Sequence, residues 1–228
     1  MTHPHNERAV NPLPPVVVAL FLVMAGLELA FNLAERGLIG DRSAVGWRIE
    51  AWERFGFSDK VFEWMITTGQ WPVEHLIRFF GYVFVHANFT HGLFAMVILL
   101  AMGKIVAESL GAWKFVVIYF STAAVGALAY GLVFDDPRIL IGAYPPAYGL
   151  IGGFTYFMWA KLGALGAPQI LAFRLIGMLL VIQFLFALLF GGDNSWVAEL
   201  AGFATGFAIT VLLVPGGWSR FLELMRRN

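Results

Sequence analysis

The sequence predicts an all-α polytopic membrane protein, a bundle of six transmembrane helices with a long amphipathic first loop. Three observations carry this expectation. Of 228 residues, 59% are hydrophobic and only 13% are charged. Soluble domains run at roughly half apolar and a quarter charged, so this chain lacks the polar surface to cover itself in water and takes the bilayer as its solvent. Mean hydropathy is +0.75, and apolar runs recur six times, at about 15–33, 89–106, 113–134, 147–160, 175–190 and 197–214.

The first fifteen residues, MTHPHNERAVNPLPP, are polar and proline-rich. They have no basic stretch followed by a small-residue cleavage site, so the first run reads as a retained span. The expected organisation is a polar N-terminus (1–14), a six-helix membrane domain (15–214) and a basic tail (215–228). Between the first two runs, the segment 35–85 is too charged to span. Within it, GWRIEAWERFGF (46–57) and DKVFEWMITT (59–68) set aromatics opposite charges at helical spacing. Such helices lie in the outer interface with their tryptophans at headgroup level, or are ordinary surface helices.

The fourth run is shorter than the roughly 20 residues a straight crossing needs. Its start, after Pro145-Pro146, is therefore expected inside the membrane, where non-helical backbone is tolerated only beside protein or a wet cavity.

Charge sets the orientation. One side takes Arg8, Lys104, Lys114, Lys161, Arg174, Arg220, Arg226 and Arg227 against Glu7, Glu108 and Glu223; the other takes the remaining seven bases against ten acids. Cytoplasmic loops carry the basic excess, so both termini are expected in the cytoplasm of a bacterial-type inner membrane. Net charge is zero, which argues against nucleic acid as a partner, and cysteine is absent. Disulfides and thiolate chemistry are excluded, and no cofactor or metal is expected. The oligomeric state is not legible.

Polar groups within or beside the runs are the functional candidates, because ionisable side chains in a bilayer cost about 2.5–3.5 kcal/mol on insertion scales. Glu28 has Asn32 one turn on for a local neutral hydrogen bond. Glu199 stands in the last run, in AELAGFATGF (198–207). His86 and His91 are five apart, on different helical faces, with no third ligand. They either hydrogen-bond structurally or polarise a substrate carbonyl. Gly149 with Gly153, and Gly202 with Gly206, make small-xxx-small faces that let the fourth and sixth spans approach closely.

Three motifs in order resemble the rhomboid family of intramembrane proteases over about residues 72–214. RFFGYVFVHANFTHGLFAMVILLAMGKIVAESLG (78–111) resembles the family's loop arginine and second span. Arg78, His86, His91, Gly103, Glu108 and Gly111 match, while Ala95 stands where the family has an asparagine. IGAYPPAYGLIGGF (141–154) aligns with the family's Gly-x-Ser-Gly, with Tyr144 at the nucleophilic serine, Pro145 at the following glycine, and Tyr148-Gly149 in the flank. Gly202 and Gly206 match the last span, with Glu199 at the catalytic histidine.

The resemblance implies the fold but not the chemistry. A phenol with an ordinary pKa near 10 is a poor acyl-transfer nucleophile. Pro145 lacks a backbone N–H and Ala95 an amide donor, so of the oxyanion contacts only His91 remains. No catalytic residue is therefore assigned. Ser121, Thr122, Thr155 and Thr205 lie in spans but not beside a retained base. The resemblance implies an inactive relative that binds transmembrane protein clients in the lipid bilayer and influences their stability, assembly or trafficking, with His86, His91, Tyr144, Tyr148 and Glu199 as cavity candidates. In that reading Glu199 hydrogen-bonds Tyr144. Two alternatives stand: an active serine endopeptidase, and a transporter or channel using Glu28 or Glu199.

Overall fold

A computed structural model describes residues 12–133 and 135–226; the N-terminal segment 1–14 therefore falls almost wholly outside the described residues. The first helix, α1 (Pro15–Glu35), starts on the prolines of its first turn, where a missing N–H costs nothing. A 3-10 turn (Arg42–Gly46), capped by the Asp41 carboxylate on the Ser43 N–H, leads into α2 (Trp47–Phe55). Helix α3 (Asp59–Thr68) ends at Gly69, whose φ of 68° supplies the left-handed cap. Two short helices, α4 (Val73–Leu76) and α5 (Arg78–Gly81), and a further 3-10 turn (Tyr82–Phe84) complete the long first loop, the outer one in the orientation expected from charge.

Then come α6 (Phe89–Leu110), α7 (Ala112–Val133), α8 (Tyr144–Ala164), α9 (Arg174–Phe190), α10 (Ser195–Leu213) and the tail helix α11 (Gly217–Arg226). The chain is an all-α polytopic bundle: five of these helices, counting α1, are long and apolar enough to cross a membrane, and α8 is the sixth long one. Among the described residues the only β pairing is a single bridge, Phe57 with Leu140. It joins the outer loop to the segment before α8.

The short fourth run is corrected. Helix α8 has 21 residues, as long as its neighbours. Pro145 and Pro146 begin it, and Lys161–Ala164 extend it past the apolar stretch. Its apolar run is short because most of its surface meets protein rather than lipid: from Pro145 to Gly153 every residue is buried. Helices α6, α7 and α10 surround it. An interior helix does not need the hydropathy of a lipid-facing one.

The close approach of α8 and α10 rests on backbone meeting backbone. A Cβ on Gly206 would fall inside contact distance of the Gly149 carbonyl, and one on Gly202 inside that of the Pro145 carbonyl. A Cβ on Gly153 would stand 2.9 Å from the Thr210 hydroxyl of α10, whereas the missing Cβ of Gly149 makes room for Thr122 of α7. Gly152, which the small-xxx-small spacing passes over, meets the Phe203 carbonyl of α10.

Helix α9, which follows a 3-10 turn (Gln169–Phe173), is the outlier. Its length is mostly exposed apolar surface, but Ile176 is buried with Tyr148 and Ile151 of α8, and Leu175, Leu179 and Leu180 pack against the same cluster.

Candidate functional site at the outer end of the bundle

The N-terminal ends of α8 and α10 meet under the outer loop, and between them lies a cavity of about 440 Å³. Its floor and walls include His91, Tyr144, Pro145, Ser195 and Glu199, with Trp52 and Arg138 from the loops above. His91 is placed by the α6 cap: Asn88 accepts the His91 N–H at 3.0 Å, and the His91 Nδ1 accepts from the Ala87 N–H at 3.3 Å. The Tyr144 ring sits 4.8 Å from the His91 ring, and its hydroxyl donates to the His91 carbonyl at a long 3.4 Å.

Glu199 is 6% exposed. It accepts from the Gln183 side-chain amide at 2.7 Å, the Ser195 hydroxyl oxygen lies 3.4 Å away, and the Tyr148 phenol also interacts with it. The expected Tyr144–Glu199 hydrogen bond is thus replaced. Tyr144 turns toward α6, and the carboxyl is held by Gln183 of α9 instead. After the opening Arg174, Gln183 is the one polar side chain in RLIGMLLVIQFLFALLF; that isolation was the signal that could have found it.

Ser195 was also missed. It is the first residue of α10, its hydroxyl 2.5 Å from the Asp193 carboxylate, and the Asp-Asn-Ser run before an apolar stretch is a helix-start signature.

The loop above the cavity is fastened by charge. Arg138 pairs through two nitrogens with the buried Asp136 at 3.0 and 3.1 Å, and Asn194 donates to the same carboxylate at 2.8 Å. The Arg138 guanidinium is the chief reason that the Asp136 carboxyl is held below its ordinary value. Asp59 in turn accepts the Asp136 N–H at 2.7 Å, tying this loop to α3. Arg78 donates to the Gly56 carbonyl at 2.8 Å, a role within the outer loop rather than in the cavity.

His86 and Tyr148 do not line the cavity. His86 lies in the loop before α6, not on a helical face, and its ring is 5.7 Å from that of His91. It is fully buried, with neither ring nitrogen hydrogen-bonded. Among the described residues no group of three or more His, Cys, Asp or Glu is arranged to hold a metal. Ala95 is buried and apolar.

Burial first, then His91 and Arg48, push the His86 imidazole down to about 3. The folded protein therefore leaves His86 neutral where an unfolded histidine, with a pKa near 6.5, takes up a proton. Stability from this site is intact above about pH 6.5 and is lost as pH falls from there toward 3. By pH 5 the loss amounts to about 2 kcal/mol. Thermal unfolding in detergent at pH 7 and pH 5 should show it, and His86→Phe should flatten the difference. An unchanged slope in the variant would exclude His86 as the source.

The sequence matches the Rhomboid domain family model over residues 73–216. Over 130 residues it is 29% identical to Rhomboid-like protease 1 of Toxoplasma gondii, covering 57% of this chain and 44% of that protein. It is 26% identical over 130 residues to Rhomboid-like protease 3 of the same organism, covering 56% and 48%. The chain thus spans about half the length of these relatives.

Proposed function

The chain belongs to the rhomboid family, and from that premise we propose that it is a pseudoprotease whose bundle binds transmembrane clients and influences their stability, assembly or trafficking. The observation that carries this reading is the occupancy of the outer cavity. Where the family's serine and histidine are expected, the cavity offers the Tyr144 phenol and the Glu199 carboxyl, each turned to a different partner.

Acyl transfer needs a nucleophile beside its base and donors aimed at the oxyanion. Tyr144 donates away from Glu199, Pro145 has no N–H, and Ala95 offers no amide. Losing one oxyanion donor costs about 3–4 kcal/mol in the transition state, and here the nucleophile is lost as well. A cavity with polar walls, under amphipathic helices and beside the sparsely packed α9, supports client binding in place of cleavage.

Ser195 favours keeping the serine endopeptidase as the second reading, since its hydroxyl shares the cavity with Glu199. Its proton, however, is held by Asp193 at 2.5 Å. The transporter reading loses one of its two acids, because Glu28 is committed to Arg48 and Asn32.

Purified protein in liposomes is expected neither to cleave transmembrane rhomboid substrates nor to label with fluorophosphonates. Cross-linking in native membranes is expected to capture intact membrane proteins. Labelling that disappears in Ser195→Ala would overturn the inactive reading and install Ser195 as nucleophile.

The same proposal sets both termini in the cytoplasm of a bacterial-type inner membrane, on the strength of the basic excess on their side. A cytoplasm-only reporter fused after Asn228 should be active, and the same reporter inserted near Ser43 should be silent. The reverse pattern would invert the topology.

A further inference from the structure

At the far end of α8, some 30 Å from Tyr144 at 1.5 Å per residue, a second cavity of about 340 Å³ opens between α8 and α11. Its rim carries two cations, Lys161 and Arg220, and its lining includes no acidic residue. Its walls are apolar, formed in part by Phe157, Leu165 and Val214.

The element that closes it is fixed from the inside. Phe221 packs on Trp159 with ring centroids 5.4 Å apart, Leu224 is buried, and the Tyr156 hydroxyl donates to the Gly217 carbonyl at 3.3 Å. Among the described residues, another face of α11 is left exposed. Trp218, Leu222 and Met225, spaced four and three residues apart, are all exposed. An apolar stripe of this kind on a helix that also carries arginines is the pattern of a helix lying in the headgroup layer. The cavity and this stripe therefore belong to the same depth of the membrane.

Two cations at the end of a helix also complement its C-terminal dipole, and Arg220 donates to the Ala160 carbonyl at 3.3 Å. That role explains the charges. It does not explain the apolar recess between them, whose composition matches a phosphate above an acyl chain. We propose that this recess is a binding site for a phospholipid with a net negative headgroup, its phosphate between Lys161 and Arg220 and an acyl chain along Phe157, Leu165 and Val214. This site is independent of the outer cavity and stands whether or not the chain is a protease.

A basic side chain near an anionic lipid surface favours it by about fivefold. The test is native mass spectrometry of the full chain released from nanodiscs of equal phosphatidylglycerol and phosphatidylcholine. Wild type is expected to retain phosphatidylglycerol preferentially, and Lys161→Gln, a change at a solvent-facing position, to reduce that preference about fivefold. Arg220→Gln should do the same, while Lys60→Gln on the opposite side of the molecule should leave it unchanged. Thermal unfolding of wild type in phosphatidylcholine nanodiscs supplies a second readout. Adding phosphatidylglycerol should raise the midpoint, and millimolar inorganic phosphate should not. Equal retention of the two lipids by wild type, or an undiminished preference in Lys161→Gln, would overturn the site. So would a midpoint shift reproduced by inorganic phosphate alone, because the occupant would then be a free anion.

Discussion

Arg48→Leu is expected to destabilise the protein by about 3–5 kcal/mol, among the largest effects of any single substitution in the chain. Arg48 is 4% exposed and Glu28 2%. The guanidinium reaches both Glu28 oxygens, at 2.9 and 3.1 Å, and Glu35 at 2.5 Å. It also donates to the His86 carbonyl at 3.0 Å and lies over the Phe31 ring. Leucine fills part of the volume but strands the Glu28 carboxylate, with only Asn32 at 3.0 Å as a donor. Breaking a buried pair from one side leaves an uncompensated charge, whereas removing both charges is often nearly neutral. The double variant Arg48→Leu with Glu28→Met should therefore recover most of the loss. Denaturant titration in detergent micelles reads both. If Arg48→Leu costs less than about 1 kcal/mol, the ion pair is not what joins α1 to the outer loop.

The consequence reaches the cavity. Trp52 of α2 donates to the same His86 carbonyl, at 3.1 Å, and lines the cavity below. Arg48 and Trp52 are four residues apart on one helix, so they share a face. The ion pair thus holds α2, and with it one wall of the cavity, over the start of α6.

The apolar runs made the bundle legible because lipid imposes one condition on every helix it touches. They failed at α8, where protein replaces lipid and the composition relaxes. Polar partnerships were legible only when local. Asn32 was found beside Glu28 because it is one turn away. Arg48 was not, because it comes from a loop twenty residues on whose docking no periodicity encodes. Likewise the motif register brought Tyr144 and Glu199 to one cavity, yet side-chain direction is decided by neighbours the register does not contain. Gln183 takes Glu199, and the His91 carbonyl takes Tyr144. The glycines show the same limit. Spacing identified Gly202 and Gly206, but Gly152 is required by the carbonyl of Phe203, a contact visible only once α8 and α10 are packed.

Glu199→Lys is the second large effect, expected at about 2–3 kcal/mol. A lysine costs about 2.5–3.5 kcal/mol at a helix centre on insertion scales, and position 199, the fifth residue of α10, lies short of that depth. The Gln183 amide can rotate to present its oxygen, which is otherwise unpartnered, to the ammonium. Intramembrane hydrogen bonds average about 0.6 kcal/mol, so that rescue offsets only a fraction of the cost. Glu199→Gln keeps size and hydrogen-bonding capacity and should cost under about 1 kcal/mol, and Gln183→Leu about as much. Tyr144→Phe gives up only a long contact and should be milder still. Unfolding midpoints of the four variants in one detergent rank them directly. A tolerated lysine beside a severely destabilising glutamine would mean that Glu199 works as an ionised carboxylate in a wet site. The outer cavity would then be a functional acid centre rather than a packed remnant.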